Sequence, residues 1–205
     1  MTIDSNDLLN SILESISRID YVKSADIPNI DLYMDQVTSF MEKQLKSTKR
    51  YDEDKILTKT MNNNYAKNDL LPAPVKKKYS IEHLLLLTFI YYFKNILSMK
   101  DIEMLLKPIT EKYFHTDSEM DIAHIYDEVC AFELERTKLL HKDIEQMYNN
   151  SMETFADAPE EDRDSLQFFS FICSLSLDVY VKKILIEKLI DTMPTPAEKE
   201  TKKEK

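Results

Sequence analysis

Apolar residues recur at steps of three and four along most of the chain, and strict alternation is scarce, so the pattern predicts helices rather than strands. Leu8, Leu9, Ile12, Ile16 and Ile19 mark an amphipathic helix over 6–19, with Ser5 or Asn6 as its N-cap. Beyond Pro28, the positions Leu32, Val37, Phe40, Met41 and Leu45 predict a second helix over roughly 32–46. Thr58 is placed to cap a short third helix that ends at Asn68-Asp69, where Leu70-Leu71-Pro72 stops it. Ser80 opens a fourth whose run HLLLLTFIYYFKNIL is apolar nearly all round, which predicts the central helix of its domain. Ser98 caps a fifth, with Asp101 three residues on, and Pro108 is expected to end it. Two long segments follow, 118–150 and 161–192, joined by a turn at Ala158-Pro159-Glu160 and predicted to form an α-hairpin. Arg136 interrupts the apolar stripe of the first.

These elements divide the chain into an N-terminal amphipathic helix (1–26), a helical domain (27–108), the hairpin (109–193) and a solvated, disordered tail (194–205). The expected class is all-α. Composition strengthens it: the 205 residues include no glycine, where roughly fourteen are usual. Glycine-dependent phosphate loops, dinucleotide turns and nucleophile elbows are thereby excluded. Left-handed caps fall to Asn or Asp instead. Cys130 and Cys173 lie in apolar helical patterns and read as buried thiols of a cytoplasmic protein. The N-terminus is acidic, unlike a secretory leader, and the longest charge-free apolar run, Leu166–Leu177, is too short to span a bilayer. No membrane partner is expected.

Charge changes the picture further. The net formal charge is -10, yet residues 41–80 carry ten basic and five acidic side chains. Within them lies TKTMNNNYAKNDLLPAPVKKKYS (58–80). On a helical wheel Met61, Tyr65 and, at the edge, Asn62 face inward, while Lys59, Thr60, Asn63, Asn64 and Lys67 spread over the other side. Amides that can bond adenine edges, beside lysines that can reach phosphates, have the chemistry of a recognition helix. A solvated helix followed by a loop would show the same composition.

The run LTKTMNNNYAKNDLLPAP, then KKKYSIEHL, then an apolar helix, then ILSMKDIEMLL resembles the DNA-binding domain of MerR-type transcription regulators over about residues 30–107. That family shows a Leu-Arg-Tyr-Tyr helix, a Gly-Leu-Leu-x-Pro turn, an Arg-x-Tyr wing ending in a Ser/Thr cap, and a Leu-x-x-Ile-x-x-Leu-Leu helix. The chain is also similar, over most of its length, to a bacterial family of uncharacterised proteins best known from Firmicutes. Its members share LYMDQV (32–37), TKTM-x-NNY (58–65) and KKYS (77–80). The resemblance implies a helix-turn-helix with a reduced wing, binding double-stranded DNA without a cofactor. Lys59, Thr60, Asn63, Asn64 and Lys67 would face the major groove, and Lys76, Lys77, Lys78 and Tyr79 the backbone. Tyr65 matches the second tyrosine of the family helix, and Asp69 replaces the glycine of the turn. Asn63 stands where relatives carry a phosphate-contacting arginine, which removes a fixed cation.

Other chemistry is less well supplied. Asp121, His124 and Glu128 share a face of the first long helix, but the second offers no histidine to complete a metal site. No nucleophile–base pair is recognisable, so an enzyme is not expected. His83 reads as a surface residue at the start of its helix. The last helix is apolar on more than one face, so it either packs on the 84–93 helix or forms a homodimer interface. A helical protein-interaction module that has lost DNA binding is the alternative function.

Overall fold

A computed structural model of the chain describes residues 9, 11–14 and 22–194. The elements, in order, are β1 (Leu32–Tyr33), α1 (Met34–Gln44), α2 (Lys59–Lys67), β2 (Lys78–Tyr79), α3 (Ile81–Phe93), α4 (Met99–Tyr113), α5 (Ile122–Met152) and α6 (Glu160–Asp191), with short 3-10 turns at Ser24–Asp26 and Lys46–Thr48. The fold is therefore all-α but for one two-residue ribbon. Of the helix expected over 6–19, residues 9 and 11–14 are described and are helical. The rest of it, and the tail beyond 194, lie outside the described residues.

α3 is the hub. Leu84, Leu85, Leu86, Leu87, Thr88 and Ile90 are all buried, as its all-round apolar pattern requires. Around it gather Val37 and Met41 of α1, Tyr65 of α2, Ile102 and Leu106 of α4, Ile122 and Tyr126 of α5, and Ile190 from the end of α6. The Tyr126 hydroxyl donates to the Val22 carbonyl at 2.5 Å, and the Ser24 hydroxyl donates to Asp127 at 2.8 Å. Those bonds fasten residues 22–24, the start of the helical head that runs from Val22 into α5, to the first turns of α5. Burial holds the Tyr126 phenol well above its ordinary pKa.

Two expectations change. Leu32 and Tyr33 do not begin α1 but form β1, paired antiparallel with β2 in the register Leu32↔Tyr79 and Tyr33↔Lys78. Leu32 is buried and Tyr33 exposed, the alternation of a strand. Pro108, expected to end α4, lies inside it. A proline deprives the helix of one N–H, but here the ladder resumes, and Ile109 and Tyr113 beyond it pack against the core. That burial offsets the lost bond.

α5 and α6 form the hairpin, closed at its far end where Tyr148 meets Phe171 edge to face at 5.3 Å. The Gln167 amide donates to the carbonyls of Met152 and Thr154 and locks the turn, which runs from 153 to 159. Leu9, Ile12 and Leu13 sit over this end and leave an apolar cleft of about 220 Å³. Among the described residues no helix is long and apolar enough to cross a membrane.

Candidate nucleic-acid interface

α2 is short, and its ends are well defined. The Thr58 hydroxyl accepts from Met61 N–H at 3.1 Å, satisfying one of the orphan donors of the first turn. At the other end Asp69 takes φ 54°, Leu70 N–H bonds Tyr65 O at 2.9 Å and Asp69 N–H bonds Ala66 O at 3.3 Å. That is a Schellman ending with aspartate in the place glycine usually fills, and Leu70 and Tyr65 on either side of it are both buried in the core. A nine-residue helix with both ends satisfied can hold a rigid outer face.

That outer face carries Lys59, Thr60, Asn63, Asn64 and Lys67, all exposed within about half the circumference at 100° per residue. The inner face holds Tyr65 and Asn62, with Met61 half-buried. Asn62, which the wheel puts at an edge, is 1% exposed, and its amide donates to the Tyr79 hydroxyl at 2.8 Å. Its Oδ1 is buried without a protein partner. Lys59 meets Asp35 of α1 at 2.6 Å, both side chains mostly in water. An exposed pair of this kind contributes under ~1 kcal/mol, so a phosphate can displace the carboxylate.

Beside α2 the chain turns back through Val75–Lys78. Lys78 N–H bonds Val75 O at 2.9 Å, and both central residues, Lys76 (φ 50°) and Lys77 (φ 65°), are left-handed. Positive φ at both centres is the signature of a type I′ hairpin turn, usually made by Asn-Gly. Two lysines there carry a steric cost of about 1–2 kcal/mol each. Lys76 and Lys77 are exposed, whereas Lys78 is half-buried with its ammonium 5.2 Å from the Tyr33 ring centroid.

Tyr79 corrects the sequence expectation. It is buried, with its hydroxyl on Asn62, so it cannot meet a DNA backbone and instead ties β2 to α2. His83 corrects a second, being 1% exposed rather than on the surface. Its Nδ1 accepts from Ser80 N–H at 3.0 Å, and its ring stands edge-on to Phe114 at 4.8 Å and Tyr79 at 5.4 Å. Burial lowers its pKa from 6.5 to about 4, and the charge of His115 adds to this. Nearby, both oxygens of Glu82 accept from His115 N–H at 3.0 and 3.1 Å, closing the end of α4 onto α3. The capping serine ahead of the apolar run was the one available signal that His83 could turn back on the chain. Asp121, considered as a metal ligand, caps α5 by accepting from His124 N–H at 2.8 Å.

Head, ribbon and turn thus form one continuous unit from Val22 to the first turns of α5. A family model described as a domain of unknown function (DUF1836) matches residues 22–129. The chain belongs to that family. No curated protein and no solved structure matches it. The DUF1836 region begins at the residue whose carbonyl Tyr126 binds, and it ends where α5 leaves the core: Val129 is exposed, while Ile122 and Tyr126 are buried. It contains every residue of the candidate interface, and most of the hairpin lies outside it.

Proposed function

We propose that this DUF1836 protein is a sequence-specific DNA-binding regulator of transcription, with a MerR-like helix-turn-helix in its head. In this account α1 and α2 are the motif, α2 is the recognition helix, and the Val75–Lys78 turn is the reduced wing. One observation carries it: an exposed face of amides and lysines on a firmly capped helix, flanked by a turn that holds two lysines outward at a steric cost. Left-handed non-glycine backbone also ends helices in this chain, as at Asp69, but at Lys76-Lys77 it falls on two adjacent exposed lysines, and strain of this kind often clusters at functional sites.

Each side chain then has a task. Asn63 and Asn64 can pair with base edges, adenine N6 and N7 above all, and Thr60 can reach a phosphate or a base. Lys59, Lys67, Lys76 and Lys77 neutralise phosphates and set the register. Lys78 is engaged by Tyr33 and contributes less. Tyr79 and Asn62 position α2 from below and touch no nucleic acid. Because Asn63 replaces the expected arginine, affinity leans on the lysines and is strongly salt-dependent.

The test is binding of the full chain to genomic DNA fragments across a salt series. Four phosphate contacts predict a log–log slope of about -4. Lys76→Ala/Lys77→Ala should remove close to half of that slope. A flat salt dependence, or no binding at low salt, contradicts the proposal and favours the protein-interaction module, for which the exposed apolar hairpin is the supporting observation.

A further inference from the structure

Residues 58–80 supply the proposed DNA-binding face, and the one acidic side chain among them is Asp69. It ends α2 in left-handed backbone and lines a cleft toward α4 with Lys107 and Glu111. The fold nevertheless brings a carboxylate onto the face from another element. Asp35, in the first turn of α1, reaches Lys59, in the first turn of α2, at 2.6 Å. The two side chains are 77% and 64% exposed, so both are open to a partner arriving from solvent. Two residues before Asp35 is Tyr33, which pairs across the ribbon with Lys78 and has that ammonium 5.2 Å from its ring centroid. Lys78 in turn pairs with Val75 at the foot of the lysine turn. One carboxylate therefore sits where the start of α2 adjoins the ribbon that carries Lys76 and Lys77.

The local structure has little need of it. Gln36 closes the first turn of α1, its Oε1 accepting from Tyr33 N–H at 2.9 Å, and an exposed ion pair adds little to stability. We infer that Asp35 is a built-in competitor for DNA phosphate: it holds Lys59 in the free protein and has to give way when the α2 face meets a duplex. The inference rests on the proposed DNA contact and adds its regulation by an intramolecular anion. Two effects act in the same direction. Lys59 gives up its carboxylate when it takes a phosphate, and at an ammonium–phosphate distance of about 2.8 Å that phosphate lies roughly 5 Å from Asp35. Repulsion at that separation in water weakens binding about fourfold, and the broken pair adds to the loss. Binding to unselected sequence draws on phosphate contacts alone, so Asp35 keeps it weak. Asn63 and Asn64, acting through base edges, carry no charge for which it can compete.

The test compares the parent chain, Asp35→Asn, Lys59→Ala and the double variant on the same genomic DNA fragments. Salt is held at about 50 mM, where charges act beyond ~10 Å. Asp35→Asn keeps the shape of the side chain and should leave helical circular dichroism unchanged while tightening binding about five- to tenfold. In the Lys59→Ala background the same change should gain clearly less. Parent binding with Asp35→Asn no tighter overturns the inference and leaves the proposed function standing. An equally large gain in the Lys59→Ala background overturns it as well, since Asp35 would then act without Lys59. No binding by any of these chains overturns both.

Discussion

Asn62 is a buried amide, so its surroundings decide what it can bond. Withdrawn from water, its amide nitrogen depends on the Tyr79 hydroxyl, and a buried donor left without a partner costs about 1–3 kcal/mol. Tyr79→Phe should therefore destabilise by roughly that amount. Asn62→Leu/Tyr79→Phe, in which neither partner is stranded, should lose less than the two single changes together. Urea denaturation of the four chains measures the coupling, and strict additivity would show that the bond contributes nothing. His83 supplies a second check. Its folded pKa of about 4 lies below the ordinary 6.5, so the unfolded chain takes the proton first. Its contribution is complete above about pH 6.5 and is lost as pH falls toward 4, up to roughly 3 kcal/mol. His83→Gln keeps an acceptor for Ser80 N–H but cannot charge, so its urea midpoint should fall less between pH 7 and pH 4.5 than that of the parent. Neither residue's role was legible in sequence: a wheel places Asn62 at an edge but cannot supply a partner 17 positions away, and a lone histidine beside a serine cap gives no sign of depth.

At the scale of elements, the glycine-free composition is accommodated by non-glycine residues in left-handed backbone. Asp69 and His115 end α2 and α4 in this way. Asp69 was legible, because Asn-Asp followed by Leu-Leu-Pro marks a helix stop. The Lys76-Lys77 turn was not, since nothing about three consecutive lysines announces a hairpin. Lys77→Gly should relieve the turn and raise stability by about 0.5–1 kcal/mol while weakening DNA binding, a trade visible by pairing a melting curve with a binding isotherm. A gain in stability with binding unchanged would mean the strained turn has no role at the interface. Among the described residues, periodicity located α1, α3, α5 and α6 to within a few residues. It missed β1 because two residues are too few to show alternation, and it misplaced the end of α4 because the burial of Ile109 and Tyr113 outweighs a local proline rule.

For the molecule as a whole, the all-α class and the central helix followed from patterning alone, while the fate of the hairpin did not. A helix that is apolar on several faces announces that something must cover it. Only the packing shows that α6 joins the core at its far end, through Ile186 and Ile190 and beside α4, and leaves its middle open. Charge is likewise divided. An overall -10 coexists with a local basic face, and the local potential decides what that face attracts. The central claim is that the exposed face of α2 and the lysine turn grip DNA. It is tested most directly by the salt dependence of DNA binding, measured on the parent chain and on Lys76→Ala/Lys77→Ala. The account predicts a log–log slope of about -4 for the parent and about -2 for the variant. Equal slopes for the two, or no binding by the parent at low salt, would contradict it.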